Sequence, residues 1–400
     1  MFQETFPAAS ELTPAVAPVP LAAPLQVEST AKATRLVPLD WMRGIVMLLM
    51  AIDHSSKAFN AGRLVTDGVF SYHPGAPLPV VQFLTRFITH LCAPTFVFLA
   101  GTGLAFTVQR QIARGESPWT IDRAIVTRGL AIAAFEFWIS WFAQPPHTWM
   151  LQVLYAIGMS FLFMVPLRRL STGVAFGLVL LLVAGGEALV NLGIGTDRSQ
   201  APLLFALLVA GGERPPFIIS YPPIHWLAML LLGWVWGRML ITKKPSTARI
   251  ARQLALGGAG ALLMFALIRG ANGYGNMLLY REDHSLVQWL HVSKYPPSLA
   301  YTMLELGIMA IVLAGLFQLS LMRTPRSAGL LITLGQTPMF FYLLHYPLLV
   351  TASRLFGVEH QLGLLATYAG AAGVVAILYP FCRWYRPFRA TGQHAWTRYV

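Results

Sequence analysis

Long apolar runs separated by short polar or basic stretches occupy the chain from residue 39 to residue 382. An α-helix needs about 20 apolar residues to cross the hydrocarbon core of a bilayer. The pattern therefore predicts an all-α fold, a polytopic transmembrane bundle of about 10 to 11 spanning helices. The predicted spans lie near residues 41–60, 80–106, 125–143, 150–166, 173–193, 222–241, 253–270, 298–321, 329–352 and 362–382. The apolar piece 202–212 is too short to span, so it is predicted to be re-entrant or interfacial.

The placement of charge orients this bundle. Hydrophobic residues make up 56% of the chain and charged residues 11%, against roughly 25% charged residues in an average soluble domain. The net charge of +13 comes from basic residues that cluster in alternate loops, as the positive-inside rule predicts for a membrane protein. These residues are Arg110, Arg114, Arg123, Arg128, Arg168, Arg169, Lys243, Lys244, Arg249, Arg252, Arg323, Arg326, Arg383, Arg386 and Arg389. We therefore expect lipid rather than nucleic acid around the chain, and both termini on the cytoplasmic side.

The two ends of the chain differ from its apolar middle. Residues 1–38 are rich in Ala, Pro and Val, lack a helical period and have no basic start, so they are predicted to be a disordered cytoplasmic tail rather than a signal peptide. One membrane domain is predicted over residues 39–383, followed by a basic cytoplasmic tail over residues 384–400. Cys92 and Cys382 lie in separate apolar segments, so we expect two buried thiols, with neither a disulfide nor a metal site.

Ionisable side chains inside the apolar runs are the candidate site residues, because a charge at the centre of a bilayer costs on the order of a few kcal/mol. They are Asp53, His54, Arg86, His90, Glu136, Glu187, Glu305 and His345. A count at about 1.5 Å per residue places His54 roughly 20 Å from the cytoplasmic end of its span. The same count places His90, Glu305 and His345 at about 24 Å, the same depth within error. This shared depth predicts that these four side chains line one cavity.

Local spacing leaves alternative roles open for the charged members of this layer. Asp53 and Lys57 are four residues apart on one helical face, so they could pair structurally, or Asp53 could serve the site. Arg86 and His90 are also four apart and share a face. Two cations in that position need an anionic partner or an anionic ligand.

A further charged pair lies at the predicted cytoplasmic end of the first helix. Asp40 and Arg43 are three residues apart and could neutralise each other at the interface. Alternatively, Arg43 could face the phosphates of a cytosolic donor molecule, because a guanidinium binds phosphate through paired hydrogen bonds.

Three motifs within the apolar helices resemble a known family. They are LDWMRG at residues 39–44 leading to MAIDH at residues 50–54, THLCAPTFVFLAG at residues 89–101, and LGQTPMFFYLLH at residues 334–345. Polar residues at fixed places in apolar helices seldom arise by chance. The motifs are similar to those of the heparan-alpha-glucosaminide N-acetyltransferase-like membrane acyltransferases, in their bacterial branch, and together they cover the core from Leu39 to His345.

The resemblance implies transmembrane acetyl transfer in a cell inner membrane. Acetyl-CoA would bind from the cytoplasm as cosubstrate, and an amino sugar or another envelope saccharide on the far side would accept the acetyl group. The histidine that carries the chemistry in the lysosomal enzyme corresponds here to either His54 or His73. The resemblance of the Asp53-His54 pair to the bacterial branch favours His54. Imidazole suits this role as a base or as an acetyl carrier because its pKa is near neutrality.

These considerations give a set of predicted site residues, with no metal among the expected cofactors. The predicted catalytic residues are His54, His90, Asp53 and Glu305, and the predicted donor-binding residues are Arg43, Asp40, Arg86 and His345. In this scheme His90 and Arg86 polarise the thioester oxygen, and Glu305 orients an imidazole or the acceptor. A proton-coupled small-molecule carrier remains the main alternative function, because it also needs carboxylates and histidines at mid-membrane. Assembly as a homodimer is left open.

Overall fold

The fold is described by a computed structural model that covers residue 1 and residues 36–68, 71–194, 201–323 and 329–400. Of the predicted features, residues 2–35 of the tail and Arg326 of the basic loops lie outside the described residues. All contacts discussed below belong to the unit Val37–Val400.

Helices account for most of this unit, which confirms the predicted all-α class. In chain order they are α1 Val37–Phe59, α2 Val80–His90, α3 Cys92–Ala113, α4 Pro118–Ala143, α5 Val153–Leu167, α6 Thr172–Ile194, α7 Leu203–Phe205, α8 Pro223–Lys243, α9 Thr247–Ala271, α10 Leu286–Leu290, α11 Leu299–Met322, α12 Leu330–Gln336, α13 Pro338–Leu355 and α14 Leu364–Ala390. Within the described ranges, seven helical segments are long and apolar enough to cross a membrane. α1, the shorter α5, and α12 with α13 complete the ten predicted positions. The piece 202–212 holds only α7 and a π-helical turn, Ala206–Ala210, in keeping with a segment too short to span.

Two of the predicted spans are broken helices. α2 and α3 meet at Leu91, and α12 and α13 meet at Thr337. Pro338 lies in the first turn of α13, where its missing N–H breaks no hydrogen bond, so a helix can restart there. Each break lies inside a continuous apolar run, which is why hydropathy alone predicted one span. The last predicted span, in contrast, ends too early at residue 382, since α14 continues to Ala390.

A small sheet, which the apolar pattern did not predict, closes the end of the bundle at the α4–α5 connection. β1 Trp149–Leu151 pairs in parallel with β3 Phe217–Ile219, and β2 Gly212–Arg214 pairs with β3 in the antiparallel direction. The sheet ties the start of α5 to the segment just before α8. It thereby fixes Gln152, which follows β1, and Tyr221, which follows β3, at the edge of the site described below.

Two glycines allow α1 to pack directly on α12. A Cβ added to Gly44 would lie 2.2 Å from the carbonyl oxygen of Leu331, and a Cβ added to Gly335 would lie 1.9 Å from that of Asp40. Both distances are too short for any side chain, so only glycine permits this approach of the two backbones. Because α13 follows α12 directly, the contact also places α13 against α1.

The basic residues of the alternate loops gather at the end of the bundle where α1 begins. Nε of Arg168 donates to Oδ1 of Asp122 at 2.7 Å, and Arg169 also donates to Asp122. Arg389 donates to the Gln336 carbonyl oxygen at 3.0 Å, and Gln336 Nε2 donates to Asp40 at 3.2 Å. The helix ends that carry these groups therefore form one basic face. Which side of a membrane this face occupies stays a prediction.

Candidate active site

A small pocket, with about 370 Å³ of empty space that includes open solvent, lies beside the last turns of α1. Its lining residues are Met50, Asp53, His54, Thr89, Cys92, Ala93, Phe96, Gln152, Val153, Tyr221, Lys294 and Tyr342. Polar side chains from α1, α2, α13 and the loops before α5, α8 and α11 thus converge on one small space among apolar neighbours. Polar groups that converge on one pocket mark a candidate ligand site.

His54 is the central imidazole of the cavity, and His345 lies directly behind it. Nδ1 of His54 is 2.7 Å from Nε2 of His345, and both rings are buried. The two rings are stacked, with centroids 4.9 Å apart and planes 12° apart. Tyr346 packs on the ring of His54 at 4.5 Å, and Tyr342 meets it edge-on at 6.1 Å. The ring of His54 is therefore held in one orientation.

The partners of His345 determine which nitrogen of His54 is basic. Nδ1 of His345 lies 3.0 Å from the carbonyl oxygen of Phe341 and 2.9 Å from that of Tyr342. A carbonyl oxygen only accepts, so Nδ1 of His345 carries a proton and Nε2 of the neutral ring accepts. Nδ1 of His54 must then donate to His345, which leaves Nε2 of His54 with its lone pair. No described residue donates a hydrogen bond to that atom.

Asp53, the neighbour of His54, is held by two arginines. Its Oδ1 accepts from Arg86 at 2.5 Å, from Arg63 at 3.0 Å and from the Thr89 hydroxyl at 3.1 Å. Arg63 also donates to the backbone carbonyl of Asp53 at 2.8 Å. The pairing of Asp53 with Lys57 considered from the spacing is thus wrong, because cations from the loop and from α2 reach the carboxylate instead. Lys57 lies over the Tyr346 ring, 5.3 Å from its centroid.

Arg86 and His90 find their anionic partner in Asp67, a loop residue between α1 and α2. Oδ2 of Asp67 accepts from Arg86 at 2.6 Å and from Nε2 of His90 at 2.9 Å. Arg86 also donates to the hydroxyl of Tyr295 at 3.2 Å. Burial alone would raise the pKa of Asp67, but the Arg86 guanidinium and the His90 hydrogen bond outweigh it and hold this pKa well below its usual range. The expectation that Arg86 and His90 need an anionic partner is met within the protein.

Lys294 is a further basic residue of the site and comes from the loop before α11. Its side chain lines the cavity although the residue is only 3% exposed. Arg86 donates to the hydroxyl of Tyr295, and Lys294 lies over its ring. Burial alone would raise the pKa of Tyr295, but these two cations outweigh it and lower this pKa. Glu305 is also buried near Lys294, and its Oε1 has no hydrogen-bond partner among the described residues.

The structure brings together only part of the predicted layer. Of the four residues expected to line one cavity, His54 does so, His345 supports it from behind, and His90 and Glu305 are not among the lining residues. His90 does not line the cavity because its imidazole is hydrogen-bonded to Asp67. Glu305 carries no hydrogen bond to an imidazole among the described residues.

Two other members of the predicted layer have local structural partners. Oε2 of Glu136 accepts from the Tyr155 backbone N–H at 3.0 Å and so caps the first turn of α5. Glu187 accepts from the backbone N–H groups of Gly275 at 2.7 Å and Met277 at 2.9 Å, which anchors the loop after α9. Both carboxylates therefore stabilise chain turns.

The remaining predicted residues lie outside the cavity. His73, the alternative to His54, is exposed in the loop between α1 and α2. Arg43 pairs with Asp40 at 3.1 Å, as its spacing predicted, and its side chain is 24% exposed. Cys92 and Cys382 are both buried free thiols, as expected. In the part of the chain that the structure describes, no group of three or more His, Cys, Asp or Glu side chains is arranged to hold a metal ion.

Among the site residues that sequence analysis missed, six lie in loops. They are Arg63, Asp67, Gln152, Tyr221, Lys294 and Tyr295. One signal could have found three of them, since the sequence Tyr-Pro-Pro occurs at residues 221–223 and again at 295–297. The two tyrosine rings meet edge-on, with centroids 5.4 Å apart, and Lys294 directly precedes the second motif.

Comparison with known proteins gives a family match. The family model for "Heparan-alpha-glucosaminide N-acetyltransferase, catalytic" matches residues 35–269, more than half of the chain. The matched part contains Asp53, His54, Arg86 and His90. No curated protein matches the chain.

Proposed function

The chain belongs to the heparan-alpha-glucosaminide N-acetyltransferase catalytic family and is a membrane acetyltransferase, and on that premise we propose a specific reaction. Acetyl-CoA binds from the cytoplasmic side of the inner membrane. An amino sugar or another envelope saccharide accepts the acetyl group on the opposite side. His54 is the residue at which the chemistry takes place.

One observation carries this proposal, the oriented imidazole of His54 in the cavity wall. The hydrogen bond to His345 leaves Nε2 as the basic nitrogen, and no described residue occupies that atom. A base of this kind must reach the proton it removes. The position of Nε2 of His54 in the cavity wall meets this requirement.

The proposed reaction uses His54 as general base. Nε2 of His54 takes a proton from the acceptor amine as the amine nitrogen attacks the thioester carbon. A C–N bond forms and the carbonyl oxygen becomes an oxyanion. When this intermediate collapses, the C–S bond breaks, and the departing CoA sulfur takes the proton from His54. The alternative is covalent catalysis, in which Nε2 of His54 attacks the thioester carbon and the C–S bond breaks to release CoA thiolate and an acetyl-imidazole. The acceptor amine then attacks the acetyl carbon, the C–Nε2 bond breaks, and the proton of the amine passes to the thiolate.

The basic face of the bundle provides a site for the phosphates of CoA. Arg43 is partly exposed there, and Arg128 and Arg389 lie near enough to interact with it electrostatically. Arg43 lies eleven residues before His54 on α1, or roughly 16 Å at 1.5 Å per residue. An elongated donor such as acetyl-CoA can place its phosphates at one end of this helix and its thioester at the other.

The ionic network around Asp53 has a positioning role in this proposal. Both terminal nitrogens of Arg86 are already bonded to carboxylates, and Nε2 of His90 is bonded to Asp67. These groups therefore support α1 and the loop before α2, and they are less suited to polarising a thioester. Asp53 keeps the neighbouring backbone of His54 in place.

The test combines donor binding with acetyl transfer by the purified protein. A ligand present at 100 times its dissociation constant should stabilise the folded state by about 2.7 kcal/mol. We expect acetyl-CoA to raise the unfolding temperature of both the parental protein and His54→Ala, and labelled acetyl to reach glucosamine only with the parental protein. The matched control is His73→Ala, which should transfer at the parental rate because His73 is exposed outside the cavity.

Two outcomes would contradict the proposal in different ways. Loss of transfer in His73→Ala with full transfer in His54→Ala would move the chemistry to the outer loop. Absence of any stabilisation by acetyl-CoA, together with proton-coupled uptake of a small molecule into vesicles, would favour a carrier instead.

A further inference from the structure

Lys294 is a buried basic residue with no role in the reaction proposed above. The residue is 3% exposed and lines the same cavity as His54. Among the described residues, Nζ of Lys294 has neither an ion pair nor a hydrogen bond, and it lies over the Tyr295 ring, 5.3 Å from the centroid. A buried ammonium that keeps a cavity-facing position without a hydrogen-bonded anion is costly, so a ligand that pairs with it is expected.

The backbone around Lys294 is fixed by several hydrogen bonds. Its N–H donates to the carbonyl oxygen of Asp67 at 2.8 Å, and Tyr295 forms a parallel bridge with Gly68. The Ser293 hydroxyl donates to the Pro296 carbonyl at 3.0 Å. The loop that carries Lys294 is thus tied to the same segment that holds Arg86 and His90. The main chain of Lys294 is therefore held in place, and its buried side chain reaches the cavity from this fixed point.

The charges nearby do not neutralise Lys294 through direct contact. Asp53 and Asp67 bond to Arg63 and Arg86, two anions with two cations. Glu305 and Lys294 interact electrostatically, but no salt bridge joins them in the described residues. The cavity therefore presents a positive group to whatever lies in front of His54.

We propose that Nζ of Lys294 donates a hydrogen bond to the thioester carbonyl oxygen of the acyl donor and stabilises the oxyanion that forms on it. This inference rests on the proposed function. As the acceptor amine attacks, the electron pair of the carbonyl π bond moves onto oxygen, opposite the ammonium. The pair returns to form the carbonyl again when the C–S bond breaks, and Lys294 keeps its proton throughout.

The role can be separated from folding by three substitutions at this position. Lys294→Met removes the charge and the donor, Lys294→Gln keeps a neutral donor, and Lys294→Arg keeps both. Loss of one oxyanion donor typically lowers kcat by roughly 100- to 1,000-fold. We expect a loss of that size in Lys294→Met with the donor dissociation constant nearly unchanged, and partial rescue in Lys294→Arg. Should Lys294→Met fail to fold, the comparison of Lys294→Gln with Lys294→Arg replaces it.

Lys57→Met is the matched control, because Nζ of Lys57 also lies 5.3 Å from a tyrosine centroid but the residue does not line the cavity. It should keep the parental kcat. The second measurement is the infrared carbonyl band of acetyl-CoA, labelled with ¹³C at the carbonyl and bound to His54→Ala. The band should shift to lower frequency on binding, and the shift should disappear when Lys294→Met is added.

The outcomes distinguish this inference from the function on which it rests. Transfer at the parental rate by Lys294→Met would overturn the role of Lys294 while leaving acetyl transfer intact. So would a carbonyl band that shifts on binding to the double variant as much as it does on binding to His54→Ala. A parental protein that neither binds acetyl-CoA nor transfers acetyl would overturn both.

Discussion

Nδ1 of His54 lies 2.7 Å from Nε2 of His345, although 291 positions separate the two residues in the chain. The contact joins α1 to the second half of a broken helix, α13. Since Nδ1 of His345 is bonded to backbone carbonyls, the rigid helix itself sets the tautomer of His345 and, through it, that of His54. His345 thus acts through His54 and is a positioning residue.

Replacement of His345 tests this relationship. His345→Phe keeps an aromatic ring for stacking but removes both nitrogens, so His54 loses the acceptor that fixes its tautomer. We expect kcat for acetyl transfer to fall by roughly 100-fold or more, within the usual range for general acid–base groups. The dissociation constant of acetyl-CoA should hardly change. Single-turnover transfer and equilibrium donor binding measure the two quantities separately.

A matched control comes from another buried histidine. His225 is 6% exposed and bonds to the Val209 carbonyl at 3.0 Å, away from the lining residues of the cavity. His225→Phe should therefore keep the parental kcat, apart from any loss of folded protein. Equal losses of kcat in both variants would mean that His345 contributes only to packing.

Asp67 is expected to matter for stability more than for chemistry. It is the common acceptor of Arg86 and His90, and both partners are buried. Removal of one partner from a buried ion pair costs about 3–5 kcal/mol. Asp67→Asn should therefore lower the thermal unfolding midpoint clearly in detergent. The exposed Asp283→Asn, whose carboxylate accepts from the Ser285 backbone N–H, should leave the midpoint unchanged.

The same residue predicts a dependence of stability on pH. The pKa of Asp67 in the folded protein is well below the value of about 3.9 expected for the unfolded chain. A depressed pKa stabilises the fold above the unfolded value, and this contribution is lost as the pH falls below about 4. The parental protein should thus lose stability more steeply than Asp67→Asn below that pH. Parallel acid-unfolding curves would show that Asp67 is not linked to folding.

The glycine contact between α1 and α12 gives a prediction about geometry. In Gly335→Ala the new methyl group would meet the carbonyl oxygen of Asp40 at 1.9 Å, so α12 must move away from α1. Because α13 follows α12, we expect His345 to move relative to His54, with loss of both stability and transfer. Gly103→Ala in α3 meets nothing within 4 Å and should be neutral or slightly stabilising. A normal transfer rate in Gly335→Ala would show that the helix contact does not set the site.

Depth along a helix was predictable from the sequence, but rotation about its axis was not. The apolar runs predicted the spans because lipid requires about 20 apolar residues for a crossing helix. Depth placed His54 and His345 at one level, yet their direct contact depends on which face each helix turns inward. His90 had the same depth and faces Asp67 instead. The pairing suggested by the four-residue spacing of Asp53 and Lys57 also does not form, because residues from other segments bond to Asp53.

The positions of the loop residues could not be predicted from hydropathy, for a different reason. Asp67 and Lys294 lie in segments whose path is set by tertiary contacts, such as the hydrogen bond from the Lys294 N–H to the Asp67 carbonyl. A count of residues from a helix end gives no position for such side chains. The apolar thickness of the bilayer allows depth to be counted only along the helices that cross it.

The orientation of the bundle can be tested with two exposed positions at opposite ends. His147 lies in the loop after α4, and Lys243 ends α8 in a predicted cytoplasmic loop. With Cys92 and Cys382 replaced by alanine, His147→Cys should react with an impermeant maleimide in intact cells, and Lys243→Cys should react only after lysis. The reverse labelling would place the basic face outside, and the donor could not then reach it from the cytoplasm.

Arg43 should affect binding of the donor and leave the chemical step largely intact. Loss of a guanidinium that meets a phosphate removes a charge-assisted hydrogen bond, worth roughly 1.5–3 kcal/mol, or about tenfold to more than 100-fold in affinity. Arg43→Ala should therefore raise the dissociation constant of acetyl-CoA by at least about tenfold at low salt. Transfer at saturating donor should stay near the parental rate. Calorimetric titration and single-turnover kinetics provide the two readouts.

The control for Arg43 must separate a phosphate contact from its pairing with Asp40 at 3.1 Å. Arg249→Ala removes a basic residue from the start of α9, in another predicted cytoplasmic loop, and should leave donor affinity unchanged. Dephospho-CoA thioesters add a second comparison, because a donor with fewer phosphates should lose less affinity if Arg43 meets the missing group. A uniform loss of folded protein in Arg43→Ala, with normal affinity in what remains, would instead assign Arg43 to the ion pair with Asp40 alone.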